Sequence, residues 1–185
     1  MNRGWRIVNQ ESQKPIVPRE IRTVFEGKIF TVQVETLTLP KGHEMKAEIV
    51  RHPGSVVIVP VTDEGKIVLV RQYRPPLGRW AWELPAGSLK PGEDVEKAAR
   101  RECHEEIGQV PQAMMRLGTF YPTPGYCDEE MVFFKASSLE TPAEAAAQDE
   151  DEDIEVKTFT IVEARDMIRR GEIRDMKTIV GLRLI

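Results

Sequence analysis

Three glutamates at helical spacing are the residues of this sequence best suited to do chemistry. Glu102 lies three residues before Glu105 and four before Glu106, so on an α-helix all three carboxylates point to one side. Like charges at this spacing destabilise an isolated helix by roughly a few tenths of a kcal/mol each, and the arrangement therefore calls for a cation. Hard oxygen ligands favour magnesium or manganese over zinc, and magnesium usually takes its remaining ligands from substrate phosphates. A solvated helix face is the alternative that this short pattern leaves open.

Residues near these glutamates fit a cation site. Ala86 and Gly87 precede the helix; the glycine allows a tight turn, and the carbonyl of Ala86 can face the same cation. Arg101 stands four residues before Glu105, where it can hold that side chain in place.

One amphipathic helix must carry the carboxylates. Between Glu93 and Ile107 apolar residues recur four apart, and this spacing predicts a helix that ends at Gly108. The predicted buried stripe consists of Val95, Ala99, Cys103 and Ile107.

Strands are predicted before and after this helix. Alternating apolar and polar residues from Ile21 to His52 indicate an antiparallel meander. The β-branched runs Ser55–Pro60 and Lys66–Arg71 predict a hairpin of two central strands. The remaining predicted elements are strands at about Trp80–Leu84, Met115–Tyr121, Met131–Ala136 and Ile154–Thr160, a helix over Ile161–Arg170, and a last helix capped by Asp175.

This order of elements predicts an α+β domain whose sheets are sandwiched by helices. We expect residues 54–185 to form the main domain and residues 1–53 to form a separate N-terminal antiparallel β-sheet. Such a sheet leaves edges and apolar faces to cover, and a partner subunit is one way to cover them. A homodimer is therefore expected.

Composition and charge exclude several classes of function. The 185 residues are 41% hydrophobic and 30% charged, a balance typical of globular proteins. The formal net charge of -4 argues against a broad nucleic-acid surface. No apolar run approaches the ~20 residues that cross a bilayer, and no secretory signal is recognisable, so a cytoplasmic location is expected. The two cysteines, Cys103 and Cys127, are expected to be reduced thiols.

The complete pattern around the glutamates resembles the Nudix box. That box reads Gly, five residues, Glu, seven residues, then Arg-Glu-apolar-x-Glu-Glu-x-Gly-apolar. Cys103 and Gln109 occupy its two apolar positions; the first is an acceptable apolar residue, and the second departs from the aliphatic preference without touching the proposed chemistry. The fixed positions are filled by Gly87, Glu93, Arg101, Glu102, Glu105, Glu106 and Gly108.

The resemblance implies a Nudix fold, an α/β/α sandwich of mixed sheets, and hydrolysis of a nucleoside diphosphate linked to another group. It gives Glu102 and Glu106 the role of core metal ligands, joined by Glu105 and the carbonyl of Ala86. The implied cofactor is Mg²⁺, with Mn²⁺ as a substitute. Such cations neutralise the diphosphate and lower the pKa of the water that attacks phosphorus.

A second resemblance narrows the substrate. Pro124, fifteen residues beyond the box, lies in a segment similar to the one that marks ADP-ribose pyrophosphatases and related nucleoside diphosphate sugar hydrolases. A plain turn between strands is the alternative for this segment alone. The resemblance extends to Arg71–Pro75, Trp82–Gly87 and the segment that begins at Lys177, and so favours this subgroup.

The same subgroup implies roles for an acidic loop that contains Glu150 and Glu152. In similar enzymes a mobile loop here supplies a glutamate that activates water or completes the metal shell. Glu150 is our first choice for general base, and Glu152 for an additional catalytic carboxylate and metal ligand. The opposite assignment of these two roles stays open, and a solvated charge run is the alternative to both.

Substrate contacts are expected from three further residues. Arg51 and Arg74 match family positions that contact the nucleotide, where a guanidinium can grip phosphate or stack on a base. Phe30 matches an aromatic residue that stacks on adenine, and a core or interface role is its alternative.

Two other functions stay open for this chain. The first is another Nudix pyrophosphohydrolase that acts on nucleoside triphosphates or capped RNA, against which the Pro124 segment and the long N-terminal sheet argue. The second is a non-catalytic Nudix-like binding module. Such a module could lose its glutamates, whereas Glu102, Glu105 and Glu106 are all retained here.

Overall fold

The computed structural model describes residues 15–144 and 153–185. Over these residues the chain forms ten β-strands, three α-helices and one short 3₁₀ helix, Pro75–Leu77. The elements are β1 Glu20–Glu26, β2 Thr31–Thr38, β3 Glu44–Arg51, β4 Ser55–Pro60, β5 Ile67–Arg74, β6 Arg79–Glu83, β7 Ala86–Ser88, α1 Val95–Ile107, β8 Val110–Phe120, β9 Met131–Glu140, β10 Ile154–Phe159, α2 Ile161–Arg169 and α3 Met176–Leu184.

The N-terminal strands form the predicted antiparallel meander. Their order is β1-β2-β3, and the register of the second pair runs from Thr31 opposite Arg51 to Thr38 opposite Glu44. Every residue of β1 is exposed. This sheet therefore leaves one strand and much of its apolar surface uncovered within a single chain.

The main domain contains two further sheets. Strand β4 lies inside a mixed sheet of order β7-β4-β9-β8, where it runs parallel to β9. Strand β5 is the central strand of an antiparallel sheet of order β10-β5-β6. Both are central strands, as predicted from their apolar runs.

The predicted hairpin between these two strands is wrong. A tight turn does connect them, in which Gly65 donates to the carbonyl of Thr62, but only an isolated bridge, Val61 to Ile67, joins the two segments. Strand β4 pairs on both edges within its own sheet, with β7 and β9. It is buried along its whole length, because both of its faces are packed. A strand buried on both faces reads as a continuous apolar run, which does not reveal its pairing partner.

The core lies in two layers on the two sides of β4. One layer is formed by residues of β4, β5 and β9 under α1, and the other by residues of β4, β5 and β9 under α2 and α3. Side chains of β4 alternate between them: Val56 and Ile58 belong to the first, Val57 and Val59 to the second. This is the expected α/β/α sandwich. Among the described residues no helix has the length and apolar character needed to cross a bilayer.

Capping side chains mark where α1 and α3 begin. Helix α1 begins at Val95, because the side chain of Asp94 accepts hydrogen bonds from the backbone of Glu96 and Lys97 and caps it. Asp175 caps α3 as predicted, by accepting from the backbone of Thr178.

Strand β8 begins at Val110, five residues before the expected start at Met115. Its extra residues pair with the end of β9, Val110 opposite Glu140. The segment Val110–Met114 contains proline, glutamine and alanine, which have low strand propensity, so pairing rather than local preference makes it a strand.

Helix α3 lies unusually close to the mixed sheet at Gly181. A Cβ added there would lie 2.3 Å from Leu84 Cδ1 and 3.1 Å from Val59 Cγ2. Leu84 and Val59 are buried, so neither can move aside freely. We expect Gly181→Val to lower the free energy of unfolding by about 1–3 kcal/mol because of overpacking, measured by urea denaturation.

Arg183→Val is the matched control for this prediction, because residue 183 is exposed on the same helix. It introduces the same β-branched side chain without a collision. Equal stability of the two variants would contradict the close packing of α3.

Candidate active site

The buried carboxylates of α1 lie directly against strand β7. Glu102 is 9% exposed and Glu106 is 4% exposed. The backbone N–H of Ala86 donates to Glu106 Oε2 over 3.2 Å. At Gly87 an added Cβ would lie 2.0 Å from Glu102 Oε1. Gly87 therefore allows a carboxylate to touch the strand backbone, rather than the tight turn expected from the sequence.

The guanidinium of Arg101 connects three acidic residues of this region. Arg101 donates from Nε to Glu93 Oε1 over 2.8 Å and from Nη2 to Glu93 Oε2 over 3.0 Å. Its Nη1 donates to Glu102 Oε1 and to Glu105 Oε2, each over 2.7 Å. The hydrogen bonds from Arg101 lower the pKa of Glu93 to about 2, and those carboxylates raise the pKa of Arg101. Arg101 holds Glu105 in place, as its spacing predicted.

These residues offer a cation oxygen ligands only. Within residues 15–144 and 153–185, no three acidic, histidine or cysteine side chains form a ready-made metal cluster. The set nevertheless fits magnesium, because that ion is usually bound through one or two carboxylates and keeps water and phosphate oxygens as its other ligands. The tight contact between Gly87 and the Glu102 carboxylate fixes one such ligand against the backbone of β7.

Arg74 reaches the same region from the end of β5. Its Nε donates to Glu83 Oε1 over 2.9 Å and its Nη2 to Glu83 Oε2 over 2.7 Å. The hydrogen bond to Glu83 raises the pKa of Arg74, and the negative charge of Glu106 adds to this effect. Arg74 is thus within electrostatic reach of the α1 carboxylates.

Glu83 has a second cationic partner, Lys177 of α3, which also donates to Glu83 Oε2. Burial alone would raise the pKa of Glu83, but the hydrogen bonds and charges of Arg74 and Lys177 outweigh it and hold that pKa below its usual value. Lys177 also lies 3.2 Å from Asp175. Two acids and two bases therefore form one compact group, which we call the Glu83 cluster: Arg74, Glu83, Asp175 and Lys177.

The Glu83 cluster is joined to the site backbone through α3. Thr178 Oγ1 donates to Asp175 Oδ2 over 2.5 Å and accepts from the backbone N–H of Leu84 over 2.7 Å. Glu83 and Asp175 also line a cavity of about 360 Å³ between β6 and the turn before α3.

Glu83, Asp175 and Lys177 were not among the predicted site residues. One signal was present: an acid, Glu83, ends the strand Arg79–Glu83 immediately before Leu84, which is buried. A charge at a position destined for burial indicates a paired or functional group.

Arg51 lies at the end of β3, as expected, but its observed contacts lead away from α1. Among the described residues its ion-pair partners are Glu35, which is 2% exposed on its side chain, and Asp128 at 2.9 Å. Its Nε also donates to Gln33 over 3.2 Å. Arg51 links the N-terminal sheet to the segment that follows Pro124, and its contact with nucleotide stays a prediction.

Phe30 and Pro124 lie outside the cluster of α1 carboxylates. Phe30 immediately precedes β2, is 39% exposed and has its ring 5.8 Å from that of Phe25. Pro124 lies in a turn in which the backbone of Cys127 donates to the carbonyl of Thr123. Their substrate contacts stay predictions.

Glu150 and Glu152 lie outside the described residues, so their roles stay predictions.

The three-layer fold with a glutamate-bearing helix packed on a glycine-containing strand defines a metal-dependent hydrolase of the Nudix class. The NUDIX domain model matches residues 51–179. The chain belongs to the Nudix family.

Several relatives are similar over most of their length. An ADP-ribose pyrophosphatase of Bacillus subtilis is 40% identical over 162 residues, covering 88% of each chain. A methanol dehydrogenase activator of Bacillus methanolicus has the same identity and coverage. An ADP-ribose pyrophosphatase of Mycobacterium tuberculosis is 35% identical over 86% of this chain and 78% of its own.

A solved structure supports the fold. A crystal structure of an ADP compounds hydrolase superposes with a TM-score of 0.79 and covers 94% of each chain at 23% identity. At that identity the likeness concerns the architecture of the domain.

Replacing Gly87 tests the contact between β7 and α1. We expect Gly87→Ala to displace the Glu102 carboxylate, because the added Cβ would lie 2.0 Å from its Oε1, and a shift of about 1 Å can cost about 100-fold in rate. The measurement is kcat for nucleoside diphosphate sugar hydrolysis with a thermal melt in parallel.

Ser88→Ala is the control, since Ser88 is an exposed residue of the same strand. Retention of full activity by Gly87→Ala would refute the functional need for this contact.

Proposed function

We propose that this protein hydrolyses the diphosphate of ADP-ribose or a related nucleoside diphosphate sugar, with Mg²⁺, to a nucleoside monophosphate and a sugar phosphate. The observation that carries this proposal is the placement of buried Glu102 and Glu106 against Ala86 and Gly87, with Arg74 in electrostatic reach. Oxygen ligands and a nearby guanidinium suit a cation-bound diphosphate.

Glu102 and Glu106, joined by Glu105 and the carbonyl of Ala86, would hold the cation. When bound, Mg²⁺, or Mn²⁺ in its place, supplies charge neutralisation of the diphosphate and a water of lowered pKa. Arg101 holds Glu102 and Glu105 at fixed positions through two 2.7 Å hydrogen bonds from its Nη1.

The remaining steps are assigned to other residues. Arg74 grips a diphosphate oxygen, and Arg51, Phe30 and Pro124 contact the rest of the nucleotide. A carboxylate from the acidic loop, Glu150 or Glu152, accepts the proton of the attacking water.

The names of the relatives support this substrate class. Two relatives that are at least 35% identical are named ADP-ribose pyrophosphatases. A further relative from Escherichia coli, 31% identical over 73% of this chain, is named a GDP-mannose pyrophosphatase. All of these names describe cleavage of a diphosphate, with different bases and sugars.

We further propose that the protein is a homodimer in which the N-terminal sheet is covered by the second subunit. Large apolar residues of this sheet and its turns are uncovered in the single chain: Ile21 is 55% exposed, Phe25 52% and Ile29 59%. An exposed apolar patch and an open edge strand of this kind favour association.

The activity is tested by incubating the protein with Mg²⁺ and a panel of ADP-ribose, GDP-mannose, ADP-glucose and UDP-glucose. We expect AMP from ADP-ribose. Glu106→Gln should lower kcat by about 100-fold or more, because it removes a charge that the cation needs.

Glu96→Gln is the matched control, since Glu96 is an exposed glutamate of the same helix. It should retain wild-type activity. Equal activity of wild type and Glu106→Gln, or no diphosphate cleavage in the whole panel, would overturn the proposed function.

The dimer is tested by light scattering at micromolar concentration. We expect the wild type to have twice the mass of one chain. Phe25→Asp should have the mass of one chain, because an unpaired charge buried at an interface costs roughly several kcal/mol. A monomeric wild type would contradict the proposed dimer.

A further inference from the structure

Glu83 is a buried acid that the proposed reaction does not use directly. It is 3% exposed, and both of its oxygens accept hydrogen bonds from Arg74. A buried charge is costly unless it is paired and hydrogen-bonded. Glu83 therefore depends on its cationic partners, and its position in turn restricts them.

The bidentate pair leaves Arg74 with donors to spare. A guanidinium carries five N–H groups in one rigid plane, and Glu83 engages its Nε and Nη2 side. The Nη1 edge is not used by Glu83. The negative charge of Glu106 contributes to the raised pKa of Arg74, so the guanidinium lies within electrostatic range of the proposed cation site.

Fixing Arg74 before the substrate arrives lowers the entropy loss on binding. A free arginine side chain has many rotamers, and a side chain that is already oriented loses less rotamer entropy when it binds phosphate. A carboxylate with two parallel hydrogen bonds fixes both the position and the plane of the guanidinium.

Lys177 restrains Glu83 in the same way. Its ammonium group donates to Glu83 Oε2, the oxygen that also accepts from Arg74 Nη2. Its side chain is 10% exposed, and Asp175 lies 3.2 Å away on its other side. The N-terminal turn of α3 thus holds Glu83, and Glu83 holds Arg74.

We propose that Glu83, restrained by Lys177, is a positioning residue that orients Arg74 for the diphosphate of the substrate. This inference rests on the proposed function, since it assigns Arg74 a diphosphate oxygen. Glu83 itself touches neither substrate nor cation. Its effect on the reaction therefore passes entirely through Arg74.

A double-mutant cycle between Glu83→Gln and Arg74→Ala tests this inference. Kinetics are measured with ADP-ribose and Mg²⁺, and binding of a non-hydrolysable methylene analogue of ADP-ribose is measured by calorimetry. We expect Glu83→Gln to weaken analogue binding about tenfold and to lower kcat/KM by about 10–100-fold. The reason is that Arg74 is no longer aligned and its contact with the diphosphate is lost. In the Arg74→Ala background the same change should have less than a twofold effect, because residues that act as a unit are not additive.

Equal effects of Glu83→Gln in the two backgrounds would overturn the inference and indicate a general structural role. Unchanged analogue binding and kinetics in the single variant would overturn it as well. An inactive wild type would instead overturn the proposed function together with this inference.

Two further variants protect the test. Glu155→Gln is the matched control, because Glu155 pairs with Arg71 of the same strand β5 at 3.2 Å but is 54% exposed on its side chain; its activity should stay within twofold of wild type. If Glu83→Gln does not fold, Lys177→Gln replaces it in the cycle. Its expected loss of about threefold should also vanish in the Arg74→Ala background, and persistence of that loss would overturn the inference.

Discussion

The architecture of the site depends on how closely α1 approaches β7. The carboxylate of Glu102 occupies the space that a side chain at Gly87 would need. The side chains of α1 therefore pack directly on the backbone of β7. Small residues of α1 near Glu102 accompany this approach. Ala98, Ala99 and Cys103 are all fully buried in the layer under α1. A larger residue at any of these positions would lift the carboxylates away from β7.

Close packing brings acids out of water, and specific cations compensate Glu83 and the acids around Arg101. Arg101 bonds to three glutamates of the box, which gives it the structural role that its place in the motif had suggested. Arg74 and Lys177 do the same for Glu83. Removing one member of such a pair leaves an unpaired buried charge, which typically costs about 3–5 kcal/mol. Charge balance therefore constrains this site as strongly as geometry does.

The N-terminal sheet is fastened to the main domain by ion pairs and backbone contacts. Arg51 joins buried Glu35 to Asp128, and the backbone N–H of Val50 donates to the carbonyl of Tyr126 over 2.7 Å. The segment that contains Pro124 is thus fixed against the end of β3. Arg51 and the Pro124 segment, which the family resemblance assigns to nucleotide binding, are linked in this way, whereas Arg74, assigned to the same role, belongs to the Glu83 cluster.

The sequence by itself determined the class of chemistry, the α+β order of elements and the central place of β4 and β5. These follow from local patterns: Glu102, Glu105 and Glu106 share a helix face because of helical periodicity, and apolar runs mark buried strands. Only the tertiary structure decided that β4 and β5 belong to different sheets, that Gly87 serves a carboxylate, and that Glu83 belongs with Arg74 and Lys177. Glu83 and Lys177 are 94 residues apart in the sequence, and no local pattern encodes a partner at that distance. This pair forms because a buried charge requires a counterion.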